Sequence, residues 1–287
     1  MKLSIGIVGL PNVGKSLLFK ILTKQEVNIA NYPFCTINPN VGVVPAKDEH
    51  LKKVAAMMGS KQILPAVFEF MDIAGLVRGA HQGAGLGNQF LAQIREVDAI
   101  IHLVRIFQDS EIVHFEGKIE PLADFEAVEN ELKMKDEQSK EKINLLSLKP
   151  QLVVLNGQEN ETPLQLTEAL KKINRHYLFW DLKNEFGEKN LQKIFSAFKN
   201  LLDLITFYTA NENEARSWFV KKGTLAPQAA GVVHTDFENK FIKAEVISWQ
   251  KLVDAGSWHN AKQKGWLRLE GREYVVQDSD VIVIKHG

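Results

Sequence analysis

Residues 3–8 form a short apolar run, and the next eight residues read Gly9-Leu10-Pro11-Asn12-Val13-Gly14-Lys15-Ser16. Every fixed position of the pattern G-x-x-x-x-G-K-[ST] is filled. Each residue type in it has a mechanical duty. Backbone N–H groups wrap a polyphosphate, and glycine permits the close approach. Lys15 sets a cation on the β- and γ-phosphates, and the Ser16 hydroxyl completes a Mg2+ shell. Residues 16–22 carry helical spacing, so a helix N-terminus points at the anion. A chance match in a chain of 287 residues has odds of roughly 1 in 100 at average residue usage. Its position between an apolar run and a helical pattern lowers them further. The chain is therefore expected to bind a nucleoside triphosphate through residues 12–17: Asn12, Val13, Gly14, Lys15, Ser16 and Leu17.

Periodicity extends this start into a fold class. Apolar runs at 41–45, 67–73, 98–106 and 151–156 read as buried strands. Helical spacing fills 50–58, 87–96, 122–147 and 163–174 between them. Alternating strands and helices predict an α/β, doubly wound, mostly parallel sheet of the P-loop NTPase type. Beyond residue 202 the pattern turns to short strands at 204–208, 244–248 and 281–284 with small helices, as in a small α+β domain. The boundaries drawn are 1–202 for the nucleotide-binding domain and 203–287 for the second. A polar run at 135–142 reads as a solvated helix face. The tryptophans Trp218, Trp249, Trp258 and Trp266 are irregularly spaced, which favours core packing over stacking platforms for bases.

Composition narrows the class of partner. No apolar run is long enough to span a bilayer, and formal net charge is zero, so bulk charge draws the chain to neither membrane nor nucleic acid. The single cysteine, Cys35, leaves no internal disulfide framework. A cytoplasmic location is the expectation. Cys35 also adjoins Thr36, where oxidation would disturb closure over a metal; a small packing residue is the plainer reading.

A G-domain-like core needs three further parts in order. Thr36 stands where a threonine closes over Mg2+. Asp72-Ile73-Ala74-Gly75 ends a strand, so that Asp72 holds Mg2+ through water and the Gly75 amide senses the γ-phosphate. The residue that orients water in Ras-like enzymes is here Leu76, which cannot hydrogen-bond, so hydrolysis must use another group. The third part reads the base. Guanine readers use N-K-x-D; here Asn156-Gly157-Gln158-Glu159 lacks the lysine and lengthens the acid by a methylene. Misplaced acceptors leave guanine donors unpaired, which turns the expectation from GTP toward ATP.

These residues together resemble the YchF/Obg-like ATPases. The resemblance rests on GLPNVGKS, NYPFCTINPNVG, DIAGLVRGAHQGAGLGNQFL, the N-x-x-E variant and a C-terminal stretch from ITFYTANENEARSW to DSDVIVI. That stretch is similar to a TGS domain, a β-grasp-like fold. The resemblance covers nearly the whole chain. It implies an enzyme that hydrolyses ATP in preference to GTP and a translation-linked partner, the ribosome (its large subunit or a 70S-type particle), with rRNA contact through the TGS domain. It implies K+ stimulation through Asn12. It also implies that Lys15, Gly75 and a catalytic histidine at His114 serve hydrolysis, with Asn156, Gly157 and Glu159 at the base and Ser16, Thr36 and Asp72 at the metal. His81 is the rival histidine, and a lone loop histidine such as His114 is otherwise expected at the surface.

Two departures from the family stand out. The long helical insertion usual before the base-reading strand is missing, because the helix from Leu122 leads almost directly to residue 151. No Ser-Ala signature appears in 177–185, and Gly157 replaces a bulkier apolar residue. Two rival readings follow: a GTPase-type ribosome assembly factor, or a nucleotide-dependent ribosome- or RNA-binding module with negligible turnover.

Overall fold

The computed structural model describes residues 3–24, 40–73, 86–114, 117–138, 145–184 and 187–287. The chain divides into two compact units, Lys2–Val44 with Phe68–Leu201, and Pro45–Val67 with Leu202–Gly287. In chain order the first part runs β1 (Leu3–Val8), α1 (Lys15–Thr23), β2 (Val41–Pro45), α2 (Glu49–Met58), β3 (Gln62–Leu64), β4 (Val67–Asp72), α3 (Leu86–Glu96) and β5 (Ala99–Arg105). Then come α4 (Pro121–Gln138), β6 (Gln151–Asn156), α5 (Leu164–Lys172), β7 (His176–Phe179) and α6 (Glu188–Leu201). The remainder is β8 (Leu204–Ala210), β9 (Glu214–Lys221), α7 (Ala226–Val233), α8 (Thr235–Asn239), β10 (Phe241–Ser248), α9 (Trp249–Ala255), α10 (Trp258–Gln263), β11 (Arg268–Glu270) and β12 (Asp280–His286).

The first unit is built on a six-stranded sheet in the order β2-β4-β1-β5-β6-β7. Strand β1 pairs in parallel with β4 and β5, and β5–β6 and β6–β7 are parallel too. Every residue of β5 and of β6 is buried. Helices cover both faces of such a sheet, which is why its central strands are mainly apolar rather than alternating. This is the α/β P-loop architecture expected from periodicity. Its carboxyl edge gathers the ends of β1, β4, β5 and β6, where ligands of open α/β sheets bind. Helix α6 and strands β3, β7, β9 and β11 were not among the expected elements.

Helix α4 is described as far as Gln138, and residues 145–149 are not helical, so the expected helix does not reach 147. The Asp136 carboxylate accepts from Leu146 N at 2.8 Å, Ser147 N at 2.9 Å and Ser147 Oγ at 2.7 Å. Those bonds turn 145–149 back toward the helix. Asp136 is only 6% exposed, so the described part of the polar run, 135–138, is not simply a solvated face.

The second unit differs from the expected boundaries, which placed residues 45–67 in the nucleotide-binding domain. Strand β3 pairs in parallel with β9 across residues 62–64 and 214–216, joining a sheet of order β11-β10-β12-β8-β9-β3. Helix α2, capped at its start by Asp48, buries Leu51, Val54 and Ala55 on one face of that sheet with α9 and α10. The second Asp48 oxygen accepts from Tyr208 Oη at 2.7 Å. Helix α7 covers the opposite face. Trp249, Trp258 and Trp266 pack against the first core and Trp218 against the second, which is the packing role their spacing favoured.

Candidate functional site

Strand β1 ends at Val8 and the phosphate loop leaves it at once. Gly14 has φ of +104°, and a β-carbon there would lie 2.8 Å from Asn156 Nδ2. Only glycine permits that conformation and that approach together. Asn12 also lies in the left-handed region, with φ of +62°. Lys15 Nζ donates to Leu10 O at 2.8 Å, folding back over the loop. Burial pushes the Lys15 ammonium down to about 8, against the opposing pull of Asp72. A cation held at the rim of a loop of N–H donors is the arrangement a polyphosphate neutralises.

Ser16 Oγ donates to Asp72 Oδ2 at 3.0 Å. Two hard oxygen donors from α1 and from the end of β4 thus meet beside Lys15. No cluster of three His, Cys, Asp or Glu occurs among the described residues. A hydroxyl and one carboxylate fit Mg2+ all the same, since Mg2+ takes its other ligands from substrate phosphates and water. Of the remaining residues singled out, Thr36, Gly75, Leu76, Cys35 and His81 lie outside the described residues. Leu17 is 39% exposed on the first turn of α1.

The end of β6 forms the base-side corner. Asn156 Nδ2 donates to Val13 O at 2.9 Å, and Asn156 Oδ1 accepts from Leu182 N at 3.2 Å. Both halves of the amide are committed to backbone, so Asn156 is a strut between the phosphate loop and the turn after β7. Gly157 has φ of +144°, and a β-carbon would sit 2.6 Å from Ile106 Cγ1 and 3.0 Å from Phe107 N. The glycine is thus dictated by the backbone. Glu159 is exposed in the short turn Glu159–Glu161, whose start is closed by a bond from Gln158 N to Glu161 Oε2 at 2.9 Å.

The segment lacking a recognisable signature still occupies this corner. Asp181 accepts from Lys183 N at 3.1 Å and from Asn184 N at 3.2 Å, making a turn on which Leu182 N reaches Asn156. Burial acts to raise the Asp181 pKa, but bonds from Asn184, Lys183 and Gln158 hold it below the usual carboxylate range. The sequence signal was an aspartate followed by Asn three places on.

A further segment, residues 106–114, arches from the end of β5 to the phosphate loop. Arg105, fully buried, donates from Nε to Phe107 O at 3.2 Å, from Nη1 to Ile112 O at 2.9 Å and from Nη2 to Asp109 O at 3.1 Å. Asn12 Nδ2 donates to Val113 O at 3.1 Å, joining the arch to the phosphate loop. His114 follows. It is 6% exposed, not a surface residue, and its Nε2 lies 2.9 Å from Asp124 Oδ2 on α4, itself buried. Neither Arg105 nor Asp124 was singled out from the sequence.

Known proteins share this frame. Residues 4–157 match a family described as a 50S ribosome-binding GTPase, and residues 204–287 match the C-terminal family of YchF GTPases, described as a protein of unknown function. The "Ribosome-binding ATPase YchF" of Mycoplasma genitalium is 41% identical over 365 aligned positions, covering 99% of both chains. The protein of the same name from Bacillus subtilis is 38% identical and covers 98% of each. The solved structure of the Schizosaccharomyces pombe YchF GTPase superposes with a TM-score of 0.82 at 30% identity, over 99% of this chain and 98% of that one. An alignment of 365 positions against 287 residues leaves at least 78 positions with no residue of this chain opposite them.

Proposed function

The chain belongs to the YchF family, and from that membership we propose that it binds Mg·ATP through residues 9–16 and hydrolyses it as a ribosome-linked switch. One observation carries the reading: the Ser16 hydroxyl and the Asp72 carboxylate meet at 3.0 Å beside the folded-back Lys15. Incoming phosphates replace the Leu10 carbonyl as the partner of Lys15. Ser16 and Asp72, with Thr36, would hold Mg2+, which would supply charge neutralisation for the transferred phosphoryl group. The Gly75 amide reports the γ-phosphate. Catalysis is mainly positioning and electrostatic stabilisation, so little covalent work falls to the protein.

With Leu76 unable to bond water, His114 handles the attacking water in this reading, and Asp124 fixes its ring. The histidine follows Val113, whose carbonyl is already bonded to Asn12 of the phosphate loop. Asn12 would contribute to a K+ site. At the base, Gly157 and Glu159 replace the lysine and the shorter acid that guanine requires, so ATP is preferred. The gap of at least 78 positions is assigned in this reading to the family's helical insertion before the base-reading strand. The second unit acts as the TGS domain and contacts rRNA, in the cytoplasm; no helix among the described residues is long and apolar enough to cross a membrane. Calorimetry with Lys15→Ala tests the site: Mg·ATP binding is expected to vanish, and unchanged binding refutes the assignment.

A further inference from the structure

A fully buried guanidinium is costly unless its donors are used. Arg105 uses its donors on one target. Its three hydrogen bonds go to the main-chain carbonyls of Phe107, Asp109 and Ile112, all within the arch 106–114. The guanidinium carbon also lies 4.4 Å from the Phe107 ring centroid, so the ring stacks on the cation. The arch therefore curls around Arg105 as a shell of carbonyls. The negative charges that face the cation are Asp109, on the arch, and Asp124, on α4. Asp124 is also the partner of His114.

Geometry explains why the residue is arginine. The guanidinium presents N–H donors in a rigid planar fork, and three divergent carbonyls can be reached at once only from such a fork. A lysine ammonium at the same place is a compact point charge on a flexible stem, and it cannot hold the same three carbonyls from one position. The far end of the arch carries two consecutive attachments to the site: Val113 O to Asn12, and His114 to Asp124. Freed from Arg105, the arch would still be tethered at both ends, but its curvature would no longer be set.

We propose that Arg105 is a positioning residue for hydrolysis: by fastening residues 106–114 it sets His114 beside the phosphate loop without itself touching nucleotide. This rests on the reading of His114 as the group that handles water. A structural role for Arg105 would lower stability and slow every route of hydrolysis alike. A positioning role acts only through His114, and the two are separable.

The test is a double-mutant cycle on the full chain. Arg105→Lys, His114→Ala and the double variant are compared with wild type for single-turnover phosphate release from Mg·ATP, for ATP Kd and for Tm. Arg105→Lys is expected to slow release ~30-fold with Kd within about threefold, the signature of misplaced geometry rather than lost binding. In the His114→Ala background the same change is expected to cost less than about twofold. Equal slowing in both backgrounds, or release at the wild-type rate in Arg105→Lys, overturns the proposal while leaving His114 in place. Wild-type release in His114→Ala instead refutes the reading of the histidine, and the proposal with it. Should Arg105→Lys not fold, Phe107→Leu keeps the cation and removes the stacking ring. It is expected to slow release ~5-fold in the wild-type background and not in His114→Ala, and equal effects in both count against the proposal.

Discussion

Helix α4 offers a carboxylate to each of two buried histidines, and the two pairs differ in kind. His102 lies within β5, 1% exposed, stacked on Phe125 at 5.1 Å between ring centroids. Its Nδ1 stands 4.0 Å from Glu129 Oε1, too far for a hydrogen bond. The other Glu129 oxygen is taken by Arg175 Nη2 at 2.8 Å. Burial pushes the His102 pKa down to about 4, with Glu129 opposing and Arg175 assisting. His114 is also buried, but it meets Asp124 at 2.9 Å and follows the carbonyl bonded to Asn12. One histidine is a neutral packing group in a strand. The other is a hydrogen-bonded group at the carboxyl edge of the sheet. Burial is common to both, so what separates them is the bonded partner and the position at the sheet edge.

That contrast can be broken most forcefully by exchanging which histidine is lost. His114→Ala is expected to slow turnover ~100-fold, the lower range for a lost general acid–base group, while Mg·ATP Kd stays within about threefold. His102→Gln is expected to leave turnover within about threefold. Equal losses in a single-turnover assay would erase the distinction. A smaller effect is expected from the carboxylates. Asp124→Asn should slow turnover ~10-fold, because a neutral amide orients the His114 ring poorly. Glu129→Gln should leave turnover alone and lower Tm by several degrees, since Arg175 loses its charged partner; ~1–3 kcal/mol is the scale for such a loss.

The pH dependence sharpens the same contrast. Because the folded-state pKa of His102 is depressed from 6.5 to about 4, the unfolded chain binds more protons in that window. The contribution is therefore fully present above pH 6.5 and is lost progressively as pH falls through 4. The loss is about 3 kcal/mol at most. Denaturant melts at several pH values should show this slope in wild type and a flatter one in His102→Leu. An unchanged slope would place the proton uptake elsewhere. The smallest effect belongs to the outer fastening of the arch. Lys183 Nζ meets Asp109 Oδ2 at 3.2 Å, but the lysine is 74% exposed. Lys183→Met is expected to change stability by ~0.5 kcal/mol or less, in contrast to the buried fastening at Arg105.

The histidine comparison also separates what was legible in the sequence from what was not. The phosphate loop was legible because fixed residue types at fixed spacing carry its chemistry, and β5 and β6 because strands buried on both faces are mainly apolar. Arg105 was read as part of a strand; its partners are main-chain carbonyls, which leave no mark on residue identity. Asp124 and Glu129 were hidden in a helix whose polar residues face inward as well as outward. Asp136 looked solvated for the same reason. Gly157 was read as a replacement for a bulkier apolar residue, whereas its φ of +144° and its approach to Phe107 N are backbone demands. The transfer of 45–67 to the second unit depends on pairing 62–64 with 214–216, a contact between segments some 150 residues apart that no local pattern announces.

The central claim is hydrolysis of ATP in preference to GTP at residues 9–16, and competition on the intact chain tests it directly. ATP and GTP are titrated against each other in K+ buffer with Mg2+, and phosphate release from each is followed with and without ribosomes. ATP is predicted to bind at least tenfold tighter, about 1.4 kcal/mol, and to be the nucleotide that turns over. Tenfold tighter GTP, or no phosphate release from ATP under either condition, would contradict it.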